Sequence, residues 1–258
     1  MLVAAIYDIH GNLPALEAVL EDVARAGADQ IVVGGDVVPG PLPRETLERL
    51  LEIEIPVQFI KGNGEAAVLA EKSGRDPGVP VQYREAIRWN AAQLRPRDAR
   101  LVAGWPETLR IEIAAVGKVL FCHATPQNYH DVFTCRTPED QLVPVFAESG
   151  ADVVVCGHTH MQFDRRIGDA RVVNAGSVGM PFGMPGAYWL LLGSEIEFRR
   201  TDYDLARAAA RIRMTQYPRA EEFAARNVLH PASEEEMLTA FAASQRGAAS
   251  ANGPPAHL

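Results

Sequence analysis

The first hundred residues alternate between short apolar runs and segments with helical spacing. The run LVAAIY predicts a buried strand, and LPALEAVLEDVARAG, with apolar residues every three or four positions, predicts a helix that ends at Gly27. QIVVGGD, RETLERLLEI and VQFIKGN then repeat the order of strand, helix and strand. This alternation predicts parallel strands joined by right-handed crossovers. A more helical stretch, interrupted by GRDPGVP, is expected over about residues 65–103.

The pattern changes in the second half, where apolar segments follow one another with short turns between them. Strands are expected at LRIEIAAVGKVLFCH, ADVVVCGHTH, FDRRIGDARVVNAGS and GAYWLLLGSEIEFRRTD, with one helix near EDQLVPVFAES. Turns such as 116–117 and 168–169 predict hairpins, so this half is expected to be largely antiparallel. We predict a core at 1–202, a helical extension at 203–244 packed on it, and a Gly/Ala/Pro-rich disordered tail at 245–258.

Composition restricts the class of protein. The chain has 258 residues, 47% of them hydrophobic, and a mean hydropathy of −0.07, which is typical of a globular protein with one main core. No apolar run approaches the roughly 18 residues of a membrane span, and the N-terminus lacks the basic region of a signal peptide. Three widely spaced cysteines imply no disulfide framework, so a cytoplasmic location is expected. The net charge of −8 argues against duplex nucleic acid as a partner but says little about small phosphorylated ligands.

Polar side chains follow five of the predicted strands. They are Asp8 with His10, Asp36, Asn63, His123, and His158 with His160. Ligand sites in open α/β sheets lie beyond the carboxyl ends of the strands, and residues two apart in extended chain point to one side. Any one of these residues alone is more often a cap, a turn or a structural histidine, but their coincidence favours a site. Oxygen and imidazole donors suit Mn, Fe, Zn or Ni, and their number suits two ions sharing a carboxylate better than one tetrahedral ion.

These blocks resemble the calcineurin-like metallophosphoesterases, whose signature is D-x-H, G-D, G-N-H-[DE], a lone H and G-H-x-H. The chain has, in that order, Asp8-Ile9-His10, Gly35-Asp36, Gly62-Asn63-Gly64-Glu65, His123 and Gly157-His158-Thr159-His160. The stretches DIHGN and NAGSVGMP are similar to the small bacterial and archaeal phosphodiesterase branch. The resemblance covers about residues 1–200. It implies an α/β fold, a four-layer α/β/β/α sandwich of two mixed sheets, here with a C-terminal helical extension.

The resemblance also implies a role for each block. One divalent ion would be held by Asp8, His10, Asp36 and His160. The other would be held by Asp36, Asn63, His123 and His158, so that Asp36 is shared. A metal-bridging hydroxide, positioned by Asp36, Asn63 and His123, would attack a small phosphodiester such as a nucleotide-type or cyclic nucleotide ester. Manganese is favoured among Mn, Fe, Ni and Zn as the native metal.

The chain departs from the signature at Gly64, where the family carries a histidine close to the leaving-group oxygen. Loss of a general acid commonly lowers the rate by about 10²–10⁴-fold. The enzyme could favour good leaving groups, His130 could replace the acid, or catalysis could have been lost and the fold retained as a binding scaffold. A phosphomonoesterase or protein phosphatase is a further alternative. The complete ligand set favours an enzyme, and the missing acid favours phosphodiesters. If the position has room, the new imidazole of Gly64→His should protonate or hydrogen-bond the leaving-group oxygen, and the gain in rate should be larger for poorer leaving groups.

Substrate contacts are expected from the loops beside the metal ligands. The candidates are Asn12, Gly64 and Ser177. The loop GSVGMPFGMPGAYW could place Met180, Phe182 or Met184 against an organic group, although ordinary loop packing would explain these residues equally well. The helical extension could cap the sandwich, form the interface of a homo-oligomer or cover the cleft. Its apolar residues have helical spacing, so packing on the core is the default expectation.

Overall fold

The computed structural model describes the backbone of residues 1–250 and the side chains of residues 1–244. The elements of the first half are, in chain order, β1 (Val3–Ile6), α1 (Leu13–Ala26), β2 (Gln30–Val33), α2 (Pro43–Leu51), β3 (Val57–Phe59), α3 (Asn63–Lys72), α4 (Val81–Gln93) and α5 (Pro96–Ala103). The next elements are β4 (Thr108–Ile113), β5 (Gly117–Cys122), α6 (Glu139–Phe146), β6 (Val153–Cys156), β7 (Phe163–Ile167), β8 (Ala170–Asn174), β9 (Ala187–Leu192) and β10 (Ile196–Thr201). The extension comprises α7 (Leu205–Arg213), α8 (Ala220–Phe223), a π-helix (Ala224–Leu229) and α9 (Glu234–Ser250). The tail expected at 245–258 lies outside the described residues from position 251 on.

The strands form two mixed five-stranded sheets. The first has the order β10-β9-β1-β2-β3, in which β1, β2 and β3 are parallel and β9 is antiparallel to β1 and β10. The second has the order β4-β5-β6-β8-β7, with antiparallel hairpins at both edges. The hairpins agree with the sequence pattern. The expectation of a largely antiparallel second half is wrong for β5, β6 and β8, which pair in parallel. A strand buried on both faces is apolar throughout and carries no sign of its neighbours' direction.

Alternate residues of β1 divide between two cores, which gives the sandwich its four layers. Ala4 and Ile6 pack in the cluster that contains the apolar faces of α1 and α2. Val3 and Ala5 pack in a second cluster with residues of the other sheet. The outer face of that other sheet packs against α6 through Phe146. The expected α/β/β/α sandwich of two mixed sheets is therefore confirmed.

The loop between β1 and α1 is fixed by local chemistry at the start of the helix. The Asn12 side chain caps α1 by accepting a hydrogen bond from the Ala15 amide at 3.3 Å. A proline in the first turn suits the helix start, and Gly27 ends the helix in the left-handed region at φ 68°. A helix fixed at both ends gives a firm support to the loop that carries Asp8 and His10.

The C-terminal extension packs on the sandwich. Ile212 of α7 and Phe223 of α8 share a small apolar core with residues of the π-helix. Arg211 of α7 donates to Glu17 of α1 at 2.9 Å, and Tyr203 accepts a hydrogen bond from Asn12 at 3.4 Å. The sequence pattern predicted a helical extension over 203–244, which contains α7, α8 and most of α9, but it did not indicate a π-helix. Within residues 1–250, no helix is both long enough and apolar enough to cross a membrane.

Candidate metal centre

Loops at the carboxyl ends of five strands bring seven donor side chains to one edge of the sandwich. They are Asp8 and His10 after β1, Asp36 after β2, Asn63 after β3, His123 after β5, and His158 and His160 after β6. None of the seven is more than 9% exposed. Every metal ligand that the sequence suggested is therefore part of one buried cluster.

The donors form two adjacent groups. The first contains Asp8, His10 and His160, and the second contains Asp36, His123 and His158. Within each group the candidate ligand atoms lie within 4.8 Å of one another. Asp36 lies between the groups, because its Oδ2 is 3.7 Å from His10 Nε2 and its Oδ1 is 3.6 Å from His123 Nε2. The Asn63 Oδ1 lies 2.9 Å from the same His123 atom, which places the amide in the second group.

The backbone orients three of the imidazoles. In each, Nδ1 faces a main-chain carbonyl oxygen. The pairs are His10 with Pro39 at 3.2 Å, His123 with Gly34 at 2.9 Å, and His160 with Met180 at 2.8 Å. An Nδ1–H that donates to a carbonyl leaves the Nε2 lone pair free to bind a metal. The Nε2 atoms of His10 and His160 then face each other at 3.3 Å, an arrangement that is unfavourable unless a cation or a proton lies between them.

Burial favours the neutral form of the His10 and His158 rings and makes the charge of the Asp36 carboxylate unfavourable. Burial, reinforced by His160, lowers the pKa of His10 to about 3. Burial, reinforced by His123, likewise lowers the pKa of His158. Burial, followed by the charges of Glu65 and Asp8, raises the pKa of the Asp36 carboxyl. Neutral imidazole is the form that binds metals, and a buried carboxylate is stabilised by a nearby cation.

The residues fit divalent transition-metal ions. The buried Asp8 Oδ1 has no hydrogen-bond partner among the residues that the structure describes, although it lies 3.4 Å from His160 Nε2. A buried acceptor of this kind is unfavourable unless a ligand satisfies it. A cation in each group would satisfy this oxygen, take the Nε2 lone pairs and neutralise the carboxylates. Imidazole combined with carboxylate and amide oxygen is a donor set that such ions accept.

The ligand loops hold five non-glycine residues in the left-handed backbone region. They are Asp8, His10, Asp36, His158 and His160, with φ from 47° to 66°, and the described chain has no other such residue. This conformation costs about 1–2 kcal/mol per residue for an L-amino acid. Hydrogen bonds between the loops hold it in place, for example from the His10 amide to the Asp36 carbonyl at 2.8 Å. Backbone strain of this kind clusters at functional sites.

Glu65 connects two of the ligand loops and was given no role by sequence reasoning. Its buried carboxylate accepts hydrogen bonds from the amides of Asp36 at 2.8 Å, Val38 at 3.1 Å and Gly62 at 2.8 Å. The bond to Gly62 could have been predicted, since an acidic residue three positions after a helix cap is a typical helix start. The bonds to Asp36 and Val38 join residues distant in sequence, so no local sequence pattern predicts them. Through them Glu65 positions Asp36 between the two donor groups.

Gly64, the second residue of α3, lies against the loop that contains Val38 and Pro39. Its amide donates to Asp36 Oδ1 at 2.7 Å. A Cβ on Gly64 would lie 2.3 Å from the Val38 carbonyl oxygen and 2.7 Å from Pro39 Cδ. The condition set for Gly64→His, that the position has room, is therefore not met, because the neighbouring loop fills the space that a side chain would need.

The other candidate residues lie around the cluster in different settings. Asn12 and Ser177 are fully buried, and they donate to the carbonyl oxygens of Gly179 at 3.0 Å and Asp8 at 2.7 Å. Both side chains therefore hold the ligand loops in place through buried hydrogen bonds, and neither lines the cleft described below. His130 is exposed on the loop after β5, where its ring packs on Tyr129 at a centroid distance of 4.7 Å.

A cleft of about 530 Å³ opens beside the donor groups. His10, Asp36, His158 and His160 form one wall. Residues of α4 and the C-terminal extension also line the cleft, among them Tyr83, Tyr217, Arg219, Phe223, Arg226 and His230. Met180 and Phe182 also line the cleft, whereas Met184 is 64% exposed and lies outside it. The volume is typical of sites for small organic ligands, which span about 300–1,000 Å³.

Comparison with known proteins agrees with this geometry. Residues 1–194 match the profile of the calcineurin-like phosphoesterase superfamily domain. Phosphodiesterase YfcE of Escherichia coli K12 is 28% identical over 194 residues, which cover 71% of this chain and 83% of that protein. The uncharacterized protein MJ0912 of Methanocaldococcus jannaschii is 26% identical over 242 residues, which cover 84% of this chain and 94% of that protein. The crystal structure of a metallophosphoesterase from Sphaerobacter thermophilus has a TM-score of 0.68 and 26% identity, covering 88% of this chain and 97% of its own.

Proposed function

Because the chain belongs to the calcineurin-like phosphoesterase superfamily, we propose that it hydrolyses small phosphodiesters with two divalent transition-metal ions. The observation that carries the proposal is the pair of adjacent donor groups with Asp36 between them. Seven donors are too many for one tetrahedral ion, whereas two ions sharing Asp36 would use every donor. Paired ions of this kind are typical of phosphoryl-transfer sites.

In this proposal each donor has one task. One ion would be held by Asp8, His10, Asp36 and His160. The other would be held by Asp36, Asn63, His123 and His158. When bound, the ions would polarise the phosphoryl group and activate the attacking water. The protein would contribute orientation, because the carbonyl oxygens of Pro39, Gly34 and Met180 fix three imidazoles before any ion binds. Manganese is the proposed native ion.

The preference for diesters follows from the surroundings of Gly64. No side chain can extend from this position towards a leaving-group oxygen, so substrates with good leaving groups are favoured. A diester also carries a second organic group, and the apolar residues Phe182 and Phe223 offer it a surface in the cleft. The name of the relative YfcE, a phosphodiesterase, supports the same substrate class.

Three expectations about the chain's setting stay predictions. A cytoplasmic location is supported by three free cysteines, of which Cys122 and Cys156 are buried. A homo-oligomer through the C-terminal helices is the second of these predictions. The absence of duplex nucleic acid as a partner rests on the net charge of −8.

Metal analysis combined with a substrate comparison tests the proposal. Stripped protein is reloaded with Mn, Fe, Ni, Zn or Mg, and bound metal is measured per chain. We expect about two ions per chain, hydrolysis of an aryl phosphodiester with higher kcat/KM than the matching monoester, and a lower metal content in Asp36→Asn. Asp169→Asn, an exposed acid in the β7–β8 turn, is the control. A chain that binds none of these metals at micromolar concentration would instead support a scaffold, and a clear monoester preference would contradict the substrate class.

A further inference from the structure

The cleft has a second wall that carries none of the metal-ligand candidates. Arg219, Phe223, Arg226 and Asn227 line it from the C-terminal extension, and Tyr83 lines it from α4. The four residues of the extension lie beyond the part of the chain that matches the family profile, which ends at residue 194. This wall therefore adds a surface to the site that the family's sandwich alone does not provide.

Two charged residues of this wall, Arg219 and Glu222, pair with each other, and Glu236 is held by a neutral serine. Arg219 lies 4.7 Å over the Tyr83 ring and donates to Glu222 at 2.6 Å. Glu236 accepts hydrogen bonds from the amide and the hydroxyl of Ser233 at 2.9 and 2.8 Å. Within residues 1–244, no hydrogen bond or ion pair engages the guanidinium of Arg226. Arg226 therefore lines the cleft with a guanidinium that no acidic side chain of the described residues pairs with.

The π-helix presents this arginine to the cleft while its other residues anchor the segment. Ala224 and Val228 are buried in the core of the extension. Arg226 is exposed and Asn227 half-buried, and both line the cleft. Single turns of π-helix are rare and occur frequently at functional sites. The segment thus holds a cation and an amide at the same cleft that four of the metal-ligand candidates line.

We propose that Arg226, with Asn227 beside it, binds a second anionic group of the substrate. The substrate class is a nucleotide-sized phosphodiester that carries a further phosphate. Its reacting phosphoryl group would lie at the metal ligands, its ring would lie against Phe182 or Phe223, and its second phosphate would lie at Arg226. A cleft of about 530 Å³ is much larger than one phosphate group, whereas a nucleotide would fill it. The placement of the reacting phosphoryl group rests on the proposed function. The placement of the second phosphate rests on Arg226 and Asn227 of the C-terminal extension.

Two esters with the same leaving group test the inference. Thymidine 5′-(p-nitrophenyl phosphate) carries no second phosphate, whereas its 3′-phosphate derivative does. We expect the wild type to hydrolyse the 3′-phosphorylated ester with about 10- to 100-fold higher kcat/KM than the plain ester, because one additional charge-assisted hydrogen bond strengthens substrate binding by about this factor. The difference should lie mainly in a lower KM. Arg226→Ala should abolish this preference and leave kcat/KM for the plain ester within about twofold, and Arg226→Lys should retain part of it. Arg207→Ala, an exposed arginine of α7 outside the cleft, should behave like the wild type.

Calorimetric titration with thymidine 3′,5′-bisphosphate gives a measure of binding that needs no turnover. The Kd of metal-loaded protein should rise by about 10-fold or more in Arg226→Ala and stay constant in Arg207→Ala. Equal kcat/KM for the two esters in the wild type, or an unchanged preference and Kd in Arg226→Ala, would overturn the inference. If neither ester is hydrolysed while the bisphosphate still binds through Arg226, the proposed function fails and the inference stands.

Discussion

Replacing Gly64 by alanine tests the geometry of the site with a single methyl group. The added Cβ would lie 2.3 Å from the Val38 carbonyl oxygen and 2.9 Å from Asp36 Oδ1, where ordinary contacts are 3.4–4 Å. The Val38 loop would therefore have to move by about 1 Å, and overpacking of this kind costs about 1–3 kcal/mol. Alanine inside a helix otherwise gains up to about 1 kcal/mol over glycine. Because the two effects have opposite signs, we expect a net destabilisation of about 1–2 kcal/mol.

Urea unfolding of the metal-free protein measures this difference. Gly104→Ala is the matched control, because its Cβ would meet nothing closer than 3.4 Å and its φ is −80°. The same movement would displace Asp36, so we also expect metal to bind more weakly to Gly64→Ala. Gly64→His should be worse in both respects, since its larger side chain begins with the same Cβ. A Gly64→Ala protein as stable as the wild type, with unchanged metal affinity, would refute the argument.

Other changes have outcomes that are equally open to measurement. Glu65→Gln should lower the free energy of unfolding by about 1–3 kcal/mol in urea, because an amide N–H would face backbone donors that now meet a carboxylate. Each of the two ions, at about 100 times its Kd, should raise the free energy of unfolding by about 2.7 kcal/mol, which a chelator should reverse in thermal denaturation. Hydrogen bonds from Arg95 lower the pKa of the Asp98 carboxyl, so this group stabilises the fold above its unfolded pKa near 3.8. Asp98→Asn should thus destabilise the protein at neutral pH, and the difference should shrink as the pH falls through the folded pKa; a constant difference would contradict this.

The positions of the donor residues could be predicted because they depend on a regular feature of the chain. An apolar run such as LVAAIY ends where its strand leaves the sandwich, and the residues that follow lie at that edge. Asp8, Asp36 and His123 each follow such a run, and the structure places all three within the same buried cluster. The division into two groups with Asp36 between them came from the resemblance, not from the spacing.

The surroundings of Gly64 could not be predicted because they depend on contacts distant in sequence. Val38 lies 26 positions before Gly64, and its loop is held against α3 by the Glu65 carboxylate. The sequence around Gly64 does not indicate that Val38 lies beside it. The sequence therefore showed that the family's histidine is missing, but not that the Val38 loop fills the space of its side chain. The direction of Arg226 is unpredictable for a related reason. Apolar spacing places Ile212 in a core, but it does not reveal a π-helix.

Without an acid at position 64, a proton for the leaving group would need another donor, and His130 is the imidazole to test. Although the His130 side chain is exposed in part, desolvation by the surrounding residues, followed by the charge of His123, lowers the pKa of His130 from the usual 6.5. An acid must hold its proton before the reaction, so His130 can contribute only in acidic solution. We therefore expect His130→Gln to change the ratio of kcat/KM between an alkyl and an aryl diester at about pH 5.5, and to leave this ratio unchanged at about pH 8. The ratio is the appropriate measure because loss of metal at low pH affects both substrates equally. An equal loss for both esters at both pH values would show that His130 positions the loop and donates no proton.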